Sequence, residues 1–140
     1  MNLPKYVKGK PGFFKFIPIL GEYTANSIYP WIFLPKGVYE NLKFPSPNPP
    51  YVALLIHEQK HYERQRKIGW LLFGLKYLFS AKFRFNEELI AVKEAMKYLK
   101  KNNISFDFDR KAKTLSSYLY LWPVSKNYAE KELRKIWDEV

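Results

Sequence analysis

The sequence predicts a mainly helical α+β fold, in which short N-terminal strands precede about five helices. Nine of the ten prolines fall in residues 1–50, together with segments rich in β-branched and aromatic residues. Beyond residue 50, apolar residues recur at helical spacing. The chain has 140 residues and no internal repeat or evident domain boundary, so residues 1–140 are expected to form a single domain.

The N-terminal residues are expected to form a small sheet. Ile28–Leu34 is rich in β-forming residues, and Pro30 predicts that it lies at a sheet edge, where an extended peptide could add as a further strand. Pro35-Lys36-Gly37 has the composition of a turn. Val38–Phe44 alternates imperfectly and is either another short strand or a helical turn. The proline-rich segment 45–50 is predicted to be a stiff connector.

Five helices are predicted beyond this connector. They span about Pro50–Lys67, Trp70–Phe79, Asn86–Lys101, Asp107–Leu121 and Asn127–Glu139. Asn48 is the expected cap of the first helix, with Pro49 in its first turn. Asn127 and Glu130 have the spacing of a capping box at the start of the last.

The third predicted helix matters for function because two glutamates stand near its start. Asn86 is its expected cap, so Glu87 and Glu88 would lie in the first turn, where a carboxylate complements the helix dipole. Asn102-Asn103 is expected to end it. Apolar residues recur along it at helical spacing, namely Leu89, Val92, Met96 and Leu99.

Charge and cysteine content narrow the classes of function. The chain has 24 Lys+Arg against 13 Asp+Glu, a net charge of +11, which favours weak, nonspecific association with anionic surfaces. The lysines are scattered, with no run longer than Lys100-Lys101, so the charge is more simply explained by solubility than by specific nucleic-acid binding. There is no cysteine, which excludes disulfides and thiolate metal sites.

No secretory signal and no transmembrane segment is recognised in the sequence, which predicts a cytoplasmic protein. Phe13–Leu20 is apolar but short, and Lys15 and Pro18 interrupt it. Trp70–Phe79 is too short to span a bilayer. It is expected to be a buried core helix; the alternative is a membrane-surface helix, because Arg66, Lys67 and Lys82 flank it.

Both histidines of the chain fall in one motif, His57-Glu58-Gln59-Lys60-His61, an H-E-x-x-H sequence. On a helix, residues four apart lie on one face, so the two imidazoles can hold one zinc ion. Glu58 would point toward the open side of the metal, as a general base does in a metallopeptidase. Composition alone would place this motif in roughly one such chain in a thousand, so it predicts a zinc site.

The third protein ligand of such a site must be a carboxylate, because the chain has no cysteine and no further histidine. Glu87 and Glu88 are the best placed, since they begin a helix that can cross back over the motif helix. Glu88 is preferred, because Ala91 lies one turn further on and would let two helices approach closely. Beside Glu87 the equivalent residue is the bulkier Ile90, and Glu87 remains the alternative ligand.

These segments together resemble the glutamate-zincin (gluzincin-like) metallopeptidases, and in particular their small single-domain members from bacteria and phages. The resemblance covers about Tyr51–Ala95. It rests on the H-E-x-x-H motif and on the pair Phe83-Arg84 followed by Glu88-Leu89-Ile90-Ala91. The interval from His61 to Glu88 is longer than in the thermolysin-like members, and no later histidine exists to stabilise an oxyanion.

The resemblance implies a zincin-like domain that hydrolyses peptides or proteins, with zinc held by His57, His61 and Glu88. Glu58 would take a proton from the zinc-bound water, whose pKa zinc lowers toward about 7, and pass it to the leaving amine. The oxyanion needs one donor besides zinc. Tyr118 is the favoured donor, because its predicted helix could line the cleft; the other candidates are Arg84, Tyr120 and Tyr128.

Two other functions stay open at this point. The chain could be a non-catalytic zinc-binding module, although a purely structural site has no need of Glu58. It could also be a basic protein that binds nucleic acid or a membrane surface, with the motif a coincidence.

Overall fold

The computed structural model describes residues 1–16, 21, 23–117, 120, 121 and 123–140. Within these residues lie six α-helices, one 3-10 helix and a three-stranded sheet, so the mainly helical α+β prediction is confirmed. They divide into two compact units, residues 1–70 and 71–140, each with a hydrophobic core of its own. The single-domain organisation stays a prediction.

The sheet of the first unit consists of β1 (Val7–Gly9), β2 (Asn26–Ile28) and β3 (Trp31–Leu34). Its order is β1-β3-β2, with β1 parallel and β2 antiparallel to β3. The prediction of one edge strand over residues 28–34 is therefore wrong, since β3 is central and closed to strand addition. Pro30 lies in the turn between β2 and β3, so its missing N–H costs the sheet no hydrogen bond.

Two helices complete the first unit, α1 (Lys36–Leu42) and α2 (Pro49–Ile68). The turn predicted at residues 35–37 is instead the start of α1, with Pro35 at the N-cap. Val38 and Leu42 lie four apart on α1 and are buried, so their burial offsets the poor helix propensity of Gly37. Helix α2 agrees with the prediction to within one residue at each end.

The core of the first unit lies on one face of β3. Ile32 and Leu34 are fully buried and pack with Val7, Val38, Leu42 and Leu55. On the other face, the Phe33 ring lies 5.1 Å from that of Phe14, in the 3-10 helix Gly12–Phe16. Gln65 connects α2 to the sheet by two hydrogen bonds. Its amide donates to the carbonyl of Ser27 at 2.8 Å and accepts from the N–H of Tyr29 at 2.8 Å.

The remaining helices are α3 (Trp70–Phe79), α4 (Ala81–Lys101), α5 (Phe108–Leu115) and α6 (Lys126–Glu139). Helix α3 has the predicted bounds. Buried side chains of α4, α5 and α6 pack in one cluster, which consists of Phe85, Val92, Met96, Ala112, Leu115, Ala129 and Leu133. This cluster includes two of the apolar positions that the helical spacing of α4 predicted.

The start of α4 differs from the prediction. Ser80 is the cap, and its hydroxyl accepts from the N–H of Phe83 at 3.1 Å. The residues that follow Ser80 contain no helix breaker, so the helix begins five residues before Asn86 and places Glu87 and Glu88 in its second turn. Neither glutamate therefore lies in the first turn. The end at Asn102 is confirmed.

The last two helices are shorter or capped differently than predicted. Helix α5 ends at Leu115, and the hydroxyls of Ser116 and Ser117 donate to carbonyls of its last turn. Helix α6 is capped by Ser125, whose hydroxyl accepts from the N–H of Tyr128, so the capping box is wrong. Glu130 pairs instead with Arg134, at 2.7 Å.

Helix α3 is largely exposed, so the prediction of a buried core helix is wrong. Phe73 is its one buried residue, at 5% exposure, whereas Leu71 and Phe79 are 59% and 79% exposed. In the described part of the chain, no helix combines the length and apolar character that crossing a bilayer requires.

Candidate metal centre

Helix α2 buries one line of side chains at intervals of four residues. Ala53, His57, His61 and Gln65 are all buried, as the spacing of the motif predicts. The α-helix therefore holds both imidazoles on one inner face. Their Nε2 atoms lie 3.2 Å apart, and the two rings are inclined at 82°.

This separation fits a shared metal ligand site. Two nitrogens bound to one tetrahedral zinc ion at about 2.0–2.1 Å stand about 3.3 Å apart. The observed 3.2 Å between Nε2 of His57 and Nε2 of His61 is close to that value. The helix thus sets the two donor atoms at the spacing that a single zinc ion needs.

Glu88 is a buried carboxylate of α4, at 2% exposure. Its Oε1 accepts a hydrogen bond from the hydroxyl of Tyr77 at 2.9 Å. Its Oε2 lies 3.7 Å from Nζ of Lys111, in α5. A buried carboxylate is costly unless it is paired or binds a metal, so both neighbours offset part of the cost of burying Glu88.

Ligand atoms of His57, His61 and Glu88 all lie within 4.8 Å of one another, and all three residues are buried. These three side chains could therefore hold a metal ion. Within the part of the chain that the structure describes, no other group of His, Asp and Glu meets this condition. Glu87, the alternative ligand, is also buried but is not a member of the group.

Glu58 is buried on α2 beside the two histidines. Lys10 interacts electrostatically with Glu58. Burial lowers the pKa of Lys10 to about 8, and the negative charge of Glu58 partly opposes this effect by raising the pKa. The ammonium of Lys10 also donates to the carbonyl of Gly21 at 2.6 Å, to Thr24 and to Asn26. A buried cation thus lies near the proposed general base, fixed by three oxygen acceptors.

The candidate oxyanion donors differ in burial and in the groups that they contact. Tyr118 lies outside the described residues. Arg84 is buried, and its guanidinium donates to the carbonyls of Tyr77, Leu78 and Tyr120, so it stabilises the end of α3. Tyr128 is 49% exposed and packs on Phe85.

Tyr120 is the candidate with a link to Glu88. Nζ of Lys111 lies 5.7 Å from the centre of the Tyr120 ring, and the same nitrogen lies 3.7 Å from Glu88 Oε2. Tyr77, Lys111 and Lys10 were not identified from the sequence. None of them belongs to a motif, and they lie 11, 23 and 48 residues along the chain from the glutamate that each interacts with.

Comparisons of the chain with protein-family models, with curated proteins and with solved structures found no match. The residues of the candidate metal centre are therefore the basis for a proposed function.

Proposed function

We propose that the protein is a zinc-dependent metallopeptidase of the glutamate-zincin type. His57, His61 and Glu88 hold the zinc ion, and Glu58 is the general base. The main observation that supports the proposal is the buried group of two imidazoles and one carboxylate, whose ligand atoms lie within 4.8 Å of one another.

The chemistry of the donors favours zinc. Catalytic zinc sites use three protein ligands drawn from histidine, carboxylate and cysteine, and leave one position open. Two histidines and one glutamate complete such a set without a thiol, which this chain lacks. Hard cations such as magnesium and calcium prefer sites built from oxygen alone, so the imidazole pair argues against them.

Sequence adjacency, burial and a neighbouring cation support Glu58 as the general base. It is adjacent to His57 in sequence and is buried with it. His57, His61 and Glu88 would hold a zinc ion that would supply a Lewis acid and lower the pKa of a water there toward about 7. Glu58 then accepts the proton of the attacking water and returns it to the leaving amine. The ammonium of Lys10 stabilises the carboxylate form that accepts the proton.

The test combines metal analysis with peptide hydrolysis by the full chain. Purified protein is expected to contain a single zinc ion and to cleave a mixed library of quenched fluorescent peptides. Glu58→Gln should keep the zinc and lose at least about 100-fold in kcat. Glu63→Gln is the matched control, because Glu63 lies on the same helix but is exposed and paired with Lys60.

Two results would reject parts of the proposal. Folded protein that takes up no zinc, or equal hydrolysis by the wild type and Glu58→Gln, would exclude a zinc peptidase. Stoichiometric zinc without hydrolysis of any peptide in the library would instead support a non-catalytic zinc-binding module.

A further inference from the structure

Helix α3 presents an apolar face to solvent. The face consists of five residues, each between 48% and 79% exposed: Leu71, Leu72, Leu75, Leu78 and Phe79. At 3.6 residues per turn these five side chains fall within an arc of about 120°. Phe73 and Tyr77 lie on the opposite side of the helix, where their rings stack at 5.7 Å. The α3 face is thus a continuous stripe of side chains that water solvates poorly.

The sequence around the α3 face is strongly cationic. Residues 64–86 contain no aspartate or glutamate, although they contain six basic residues. Four of these are exposed: Arg66, Lys67, Lys76 and Lys82. They precede, interrupt and follow the apolar stripe. An apolar helix face bordered by cations has the composition of a helix that lies in the headgroup region of an anionic membrane.

We propose that the α3 face docks onto an anionic lipid surface. The leucines and Phe79 would enter the boundary between headgroups and acyl chains, while the flanking lysines and arginine contact lipid phosphates. A helix of 10 residues is about 15 Å long, so it lies along the surface. This inference is independent of the metal centre and of peptidase activity.

Two other occupants fit the observations less well. A second copy of the chain would bring two net charges of +11 together, with cations on both sides of the contact. Nucleic acid would satisfy the cations, but it binds exposed apolar surface mainly by stacking on aromatic rings. Four of the five residues of the α3 face are leucine, and aliphatic side chains are suited to lipid.

The experiment measures sedimentation of the full chain with vesicles of equimolar phosphatidylcholine and phosphatidylglycerol, and with vesicles of phosphatidylcholine alone. Binding is expected to the anionic vesicles and to fall with added salt. The triple variant Leu71→Gln, Leu75→Gln, Phe79→Gln should bind at least about tenfold more weakly. The matched control replaces three exposed phenylalanines elsewhere, Phe13, Phe16 and Phe44, with glutamine and should bind within about twofold of the wild type.

A second pair of variants tests the cations. Lys67→Glu with Lys82→Glu should weaken binding to the anionic vesicles, whereas Lys101→Glu with Lys131→Glu, at exposed positions in α4 and α6, should weaken it less. Far-UV circular dichroism establishes that each variant is folded.

Three results would overturn the proposal. Wild-type vesicle binding by the folded α3 triple variant would mean that the α3 face is not the contact. Dimerisation in place of vesicle binding, abolished in the same variant, would assign the face to a second copy. Binding of a mixed-sequence DNA duplex in place of vesicles, lost in the same variant, would assign it to nucleic acid.

Discussion

The hydroxyl of Tyr77 donates a hydrogen bond to Oε1 of Glu88 at 2.9 Å. The backbone carbonyl of Tyr77 accepts from Arg84 at 2.6 Å, so the tyrosine is held at both ends by residues of α4. Carboxylates that bind metals are commonly oriented by a hydrogen bond of this kind. Tyr77 thus holds one oxygen of Glu88, and the other lies 3.7 Å from Nζ of Lys111.

Tyr77→Phe removes this hydrogen bond and keeps the ring. We expect the affinity for zinc to fall about tenfold, because Glu88 loses the donor that orients it. Competition with a chromophoric chelator measures the change. Tyr128→Phe is the control, since Tyr128 is half-exposed and packs on Phe85. Equal zinc affinity in the wild type and Tyr77→Phe would show that this hydrogen bond does not support the site.

Removal of zinc should lower the thermal stability of the protein. A ligand that binds only the folded state stabilises it by about 2.7 kcal/mol when present at a hundred times its Kd. A chelator should therefore lower the Tm and abolish hydrolysis, and added zinc should restore both. Glu88→Gln should reduce the zinc-dependent rise in Tm, whereas Glu87→Gln should retain it. The reverse pattern would identify Glu87 as the ligand.

The pKa of Lys10 offers a test of its proximity to Glu58. Burial lowers this pKa from 10.5 to about 8, against the raising effect of Glu58. Glu58→Gln should lower it further, because the opposing charge is gone while the burial remains. NMR titration of the lysine side chains measures both values. Glu40→Gln is the control, since Glu40 pairs with Lys43 on the surface; an unchanged Lys10 pKa in Glu58→Gln would contradict the contact.

The direction of this shift also sets a pH dependence of stability. Between about pH 8 and 10.5, the folded state has released the Lys10 proton while the unfolded state still holds it. The contribution of Lys10 to stability therefore rises with pH across this window.

Asp109 should make a stabilising contribution that also rises with pH, but at the acidic end of the range. Hydrogen bonds from Lys113 and Lys126 lower its pKa from 3.8 to about 2. Because this pKa is lower in the folded state than in the unfolded state, Asp109 stabilises the folded state at pH values above 3.8. This stabilisation is lost as the pH falls through about 2. Asp109→Asn should thus lower the Tm slightly at neutral pH, and the difference should vanish near pH 2. An equal difference at both pH values would contradict this account.

The local sequence was sufficient to predict α2, the helix that carries His57 and His61. Spacing by four residues places side chains on one face of any α-helix, so His57 and His61 converge wherever α2 packs. The bounds of α2 and α3 followed from the same periodicity and from Gly69 between them. Helix starts were less well predicted, because Ser80 and Ser125 compete with asparagines a few residues later and the better cap depends on the backbone that precedes it.

The tertiary structure decided what the periodicity left open. Adjacent glutamates differ by about 100° around a helix, so which of Glu87 and Glu88 joins the histidines depends on how α4 is rotated. The neighbours Tyr77, Lys111 and Lys10 come from separate parts of the chain, and no local pattern encodes such distant contacts. The sequence by itself determined the donor types and the histidine pair. Long-range packing decided which glutamate joins the buried histidines, the central position of β3 and the exposure of α3, because each depends on which surfaces meet in the folded chain.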